Sequence, residues 1–99
     1  MMVAMILEIA ELSIQPGRED DFAAAYRQAR PLVAATEGFR SARMTRGIES
    51  PSTFVLIIEW DSVEAHLKGF RESERFTRWR ELLGPYFAAD PQVRHTAEI

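Results

Sequence analysis

The sequence predicts an α+β domain of element order βαββαβ, on three observations. Four short segments have strand length and strand patterning: Met5 to Ile14, Phe39 to Gly47, Thr53 to Trp60 and Val93 to Ile99. Two longer stretches place apolar residues at helical spacing. Breaks containing Pro, Gly or Ser fall between these segments. At 99 residues the chain is one domain, residues 1–99, with room for a single core.

The first strand is rich in Ile and Leu, with charges only at Glu8 and Glu11, and Pro16-Gly17 ends it. Glu19, Asp20 and Asp21 then supply the acidic first turn that a helix dipole favours. Phe22, Ala25, Tyr26, Ala29, Leu32 and Val33 form that helix's apolar stripe. Pro31 is expected to kink or divide the helix, because it lacks a backbone donor, and Gly38 to end it. The second strand mixes Arg40, Arg43 and Arg46 with Ala42 and Met44. Glu49 to Ser52 is a turn.

The third strand contains Phe54-Val55-Leu56-Ile57-Ile58, apolar on both faces. Asp61 or Ser62 caps the next helix, Asp61 with Glu64 resembling a capping box, and Gly69 weakens it. Ser73 is expected to cap a further helical stretch with Phe76, Trp79, Leu82 and Leu83 on its apolar side, ended by Gly84-Pro85. The last strand sets Val93, His95 and Ala97 on one face and Arg94, Thr96 and Glu98 on the other.

This order is the ferredoxin-like split βαβ arrangement, an antiparallel sheet with helices on one face. A small antiparallel sheet ordinarily shows water one solvated face, and two-sided apolarity in the third strand says that both are covered. A second copy of the same sheet is the simplest cover, so a homodimer through the sheet face is expected.

Composition narrows the function classes. Forty-six per cent hydrophobic and 27 per cent charged residues describe an ordinary soluble protein. A net charge of −3 offers no broad attraction to nucleic acid or anionic lipid. Cysteine is absent, which excludes disulfides, thiolate nucleophiles and iron–sulfur ligation, and fits a reducing, cytoplasmic setting. No signal-peptide pattern and no membrane-spanning run is read. The two histidines are far apart without metal-ligand spacing, so no metal site is expected.

The informative segment is Glu59 to Phe70. A large ring, Trp60, ends a strand, and the next helix carries His66 and Phe70 one turn apart. Trp60 is either core or a cavity wall whose indole N–H orients an oxygen. His66 is a helix residue with a satisfied hydrogen bond, a pocket-lining group or a general base. Phe70 is the best pocket candidate among the phenylalanines. His95 is expected to be structural, buried or at the dimer seam. Arg71, Arg75 and Arg78 follow helical spacing and could bind an anion; a solvated face is the stronger reading, with Glu74 available to Arg78.

The chain resembles the antibiotic biosynthesis monooxygenase family over nearly its whole length. The resemblance runs through the opening strand, Pro16-Gly17, Ala29 to Val33, Glu59 to Ser62 with Ala65, His66 and Phe70, the Phe76/Trp79 helix, and Val93-Arg94-His95. It implies a dimeric α+β barrel with a cavity between sheet and helices. It implies, too, a monooxygenase of small electron-rich aromatics such as quinols, using dioxygen without metal, flavin or other cofactor. His66 would then be the catalytic base, with Trp60 and Phe70 holding the substrate. The same scaffold serves haem-degrading enzymes and proteins without known activity. The haem degraders rely on an Asn beside Trp and His, and this chain contains no Asn. A non-catalytic small-molecule binding or accessory role is the other expectation.

Overall fold

The structure is a computed structural model that describes residues 5–99. Its elements are β1 (Ile6–Ser13), α1 (Glu19–Ala34), β2 (Phe39–Arg46), β3 (Thr53–Trp60), a π-helical turn (Ala65–Phe70), α2 (Glu74–Leu83), a short 3-10 turn (Gly84–Tyr86) and β4 (Gln92–Ala97). The strands form one antiparallel sheet in the order β2-β3-β1-β4, and the sheet is not closed. This is the ferredoxin-like α+β arrangement, with helices on one face.

Strand alternation decides what faces the helices. On β3, Phe54, Leu56, Ile58 and Trp60 are buried and the residues between them are half-buried. On β1 the buried set is Glu8, Ala10 and Leu12, so a carboxylate occupies a core position. From α1, Phe22, Ala25, Tyr26, Ala29 and Val33 pack down onto this face. On the other face Leu7, Ile9, Val55 and Ile57 lie half-buried, with no helix among the described residues above them.

Pro31, expected to kink or divide helix α1, does not divide it: the helix continues to Ala34. Pro31 sits in the last turn, where the acceptor it leaves free belongs to solvent-exposed Arg27. Ser62 caps the helical turn after β3: its Oγ accepts from the Ala65 N–H at 3.1 Å. Asp61 serves no capping box and instead pairs with Arg40 at 2.5 Å. That turn opens into π geometry, with the Arg71 N–H donating to the His66 carbonyl at 3.0 Å. Ser73 precedes α2 without a side-chain cap, its Oγ donating to the Phe70 carbonyl.

Candidate functional site

The register of the sheet assembles the site. Glu8 on β1 lies opposite Ile58 of β3 on one side and His95 of β4 on the other. Trp60 is two residues beyond Ile58 on the same face, so Trp60 and His95 flank Glu8. The π-helical turn then lowers His66 onto this row. Ser62 starts that turn, and its wider spacing buries both His66 and Phe70.

Four polar groups result, in line. The Trp60 Nε1–H donates to Glu8 Oε1 at 2.9 Å. His66 Nε2 lies 3.3 Å from the same oxygen. His66 Nδ1 and His95 Nε2 are 2.8 Å apart. Trp60, Glu8 and His66 are all 5 % exposed or less, whereas His95 is half-buried and leads toward water. The indole and the His66 imidazole stack, with centroids 5.5 Å apart and planes 22° from parallel. Stacking fixes the imidazole's plane, so its two nitrogens point along the line.

Burial pushes the Glu8 carboxyl up to about 7, against the Trp60 hydrogen bond and the Arg71 charge, which pull it down. Burial pushes His66 down to about 4, and the charges of His95 and Arg71 act in the same direction. Both groups are thereby driven toward their neutral forms. Two proton arrangements fit the contacts. With Glu8 ionised, Oε1 accepts from Trp60 and faces His66 Nε2–H, while His66 Nδ1 accepts from His95. With Glu8 protonated, its O–H faces His66 Nε2, and the Nδ1–H donates to His95. One proton entering at His95 and hopping inward converts the first arrangement into the second.

A cavity of about 820 Å³ lies between the β1/β4 side of the sheet and α2. Glu8, His66, Phe70, Phe76, Trp79 and Leu83 are among its walls, and Arg71, Arg80 and Asp90 also line it. Of the residues singled out in the sequence, His66 and Phe70 line the cavity. Trp60 does not: it is fully buried one layer behind His66, and its N–H is satisfied by Glu8. Trp79, from α2, is the tryptophan at the wall. Arg71 lies at the cavity rather than on a purely solvated face. Half-buried Arg75 ties α2 back to Thr36 and the Gly69 carbonyl, each at 3.3 Å.

Glu8 was not anticipated as a site residue. Its signal was present, since alternation puts it on the face of Ala10 and Leu12. Two-sided apolarity left open which face was the inner one. Among the described residues no group of three His, Cys, Asp or Glu side chains is arranged to hold a metal ion. No helix among them is long and apolar enough to cross a membrane.

The sequence profile of the antibiotic biosynthesis monooxygenase family matches residues 5–82. The chain belongs to this family. Within the antibiotic biosynthesis monooxygenase family, a crystal structure of a candidate member from Bordetella bronchiseptica is similar at 43% identity, with TM-score 0.94, covering 97% of this chain and 98% of that one. An uncharacterized Bacillus subtilis protein, YczJ, is 32% identical over 95 residues, 96% of this chain and all of its own. A Streptomyces coelicolor monooxygenase solved with nanaomycin D shares the fold at TM-score 0.83 and 16% identity, covering 97% of this chain and 88% of that one.

Proposed function

We propose that this antibiotic biosynthesis monooxygenase family member oxygenates a small electron-rich aromatic alcohol, of quinol or polyketide type, in the cavity beside Glu8 and His66. One observation carries the reading: a buried carboxyl with its pKa pushed up to about 7 lines an open cavity that has aromatic walls. A purely structural domain would gain stability by filling that space and by replacing the buried carboxyl. The alternative, a non-catalytic binding protein, accounts for the cavity but not for the Glu8–His66–His95 line.

His66 was expected to be the base itself. Its two ring nitrogens are engaged by Glu8 and His95, so the direct step falls to Glu8. Oε1 faces Trp60 and His66, and Oε2 has no partner among the described residues. Glu8 Oε2 takes the hydroxyl proton, and His66 and His95 share it outward. The aromatic oxyanion gives one electron to dioxygen, and the radical and superoxide combine at a ring carbon that bears hydrogen. Glu8 returns its proton to the peroxide. The base then removes that carbon's hydrogen as the O–O bond breaks, and hydroxide leaves as water with that proton. A phenol and dioxygen become a quinone and water, and all four electrons come from the substrate. The substrate is its own reductant, so the sequence requires neither flavin nor metal. Phe70 and Trp79 hold the ring and keep water out, while Trp60 acts through Glu8.

The protein is proposed to work as a homodimer joined through the open sheet face, in the cytoplasm. Leu7, Ile9, Val55 and Ile57 on that face support the dimer, and the lack of cysteine supports the compartment.

A screen of quinols and naphthols under air, followed by oxygen uptake, tests the function. Glu8→Gln is expected to lower turnover by about 10²–10⁴. Rate should rise with pH through about 7 and level off above it, as Glu8 ionises. Unchanged turnover in Glu8→Gln, or loss of activity to a chelator restored by one metal, would overturn the mechanism.

A further inference from the structure

The cavity is polar at two places of opposite character. At one, Glu8 and His66 offer a proton acceptor; at the other stand Arg71 and Arg80. The two guanidinium groups flank one ring: Arg71 lies 5.5 Å and Arg80 6.0 Å from the Phe76 centroid. Phe76 holds both side chains against the cavity wall by cation–π attraction. Neither arginine forms an ion pair among the described residues, although carboxylates are plentiful on this acidic chain. Asp90 lines the same cavity and pairs with neither. Two cations against one carboxylate leave this rim positive on a protein of net charge −3. The field of Arg71 also reaches inward, where it acts on both Glu8 and His66.

We propose that the ligand of this cavity is an aromatic hydroxy acid, its hydroxyl at Glu8 and its carboxylate held at the rim by Arg71 and Arg80. This rests on the oxygenase reading of the site and adds the substrate's second functional group. The walls between the two polar places are apolar and aromatic, which suits a flat ring system. The carboxylate cannot take the inner position, because Glu8 would meet it with like charge or with burial cost. At the rim it finds two guanidinium forks that no side chain has claimed. Orientation follows: the anionic group stays outside, and the hydroxyl arrives at the base.

Binding of 6-hydroxy-2-naphthoate and of 2-naphthol, measured by calorimetry on the intact protein without turnover, tests this. The two probes share a ring and a hydroxyl, and one carries a carboxylate at the far end. The naphthoate should bind about tenfold more tightly, as expected for a charge-assisted contact at a partly exposed site. That preference should shrink with added salt. Arg71→Gln with Arg80→Gln should bring the naphthoate down to the affinity of the naphthol; both side chains are exposed, so folding is not at issue. Equal affinities in the unaltered protein, absence of binding by both probes, or a preference that survives the double substitution would overturn the proposal. Selective naphthoate binding without oxygen consumption would keep the anion site and remove the oxygenase reading.

Discussion

Glu8 and His66 exchange protonation states when the chain folds. Unfolded, the pair carries one proton on the imidazole between about 4.5 and 6.5; folded, it carries one on the carboxyl between about 4 and 7. The number bound is nearly the same, so the pair makes stability almost level across pH 4.5–6.5. Single substitutions should expose two opposite slopes. In Glu8→Gln only His66 remains, with a folded pKa below its unfolded one. Its contribution is complete above about 6.5 and is lost as pH falls toward about 4. In His66→Gln only Glu8 remains, with its folded pKa raised. Its contribution is complete below about 4.5 and is lost as pH rises to about 7. Each slope should amount to roughly 3 kcal/mol at most, by urea denaturation at a series of pH values. Slopes of the same sign would refute the assignment. Trp60→Phe keeps the buried ring and removes the N–H that favours ionised Glu8. The Glu8 midpoint should move further up, which a carboxyl ¹³C titration reads directly. Trp60, His66 and Phe70 were legible because they sit within eleven residues of one another. Glu8 and His95 join them only through strand pairing, which local spacing does not encode.

Turns carry the precision of the site. Gly38 takes φ +90°, and a Cβ there would stand 2.7 Å from the Ala65 Cβ at the start of the π-helical turn. Its carbonyl also accepts from the Asp61 N–H at 2.8 Å. Gly38→Ala should cost about 1–3 kcal/mol for the backbone alone, with the clash added. Gly17 has the same φ but open space around it, so Gly17→Ala measures the backbone part by itself. Equal losses at the two positions in chemical denaturation would show that the approach to Ala65 does not matter. The strands were largely legible from pattern, and Thr53–Trp60 agrees in both bounds, because alternation and length act locally. The π geometry was not legible: it depends on how Ala65 docks against Gly38 and Phe70 against Phe76 and Trp79, at 5.4 and 5.6 Å between centroids. That Pro31 does not divide its helix was not legible for a related reason, since its effect depends on whether the freed acceptor can meet water.

Among the described residues no helix covers the second side of the sheet. β1 and β3 are the two central strands, and Leu7, Ile9, Val55 and Ile57 form the middle of that face. Arg43, Thr45, Arg94 and Thr96, on the flanking strands, supply a polar margin. Light scattering at micromolar concentration should give twice the chain mass. Ile57→Asp should yield a monomer, because pairing would bury an unmatched charge at the cost of several kcal/mol. A native chain that stays monomeric would refute the dimer.

The pairing of β1 with β4 ties Glu8, near the beginning of the chain, to His95, near its end. A ribosome therefore releases Glu8 and Trp60 well before the histidine that pairs with His66. Until β4 docks, β1 presents a bare edge and His66 lacks its His95 partner. The line of four polar groups is complete only once β4 has been made and has paired with β1. A chain clipped after Asp90 would retain every buried core residue and lose the His66–His95 contact, so the docking of β4 adds to the site rather than to the core.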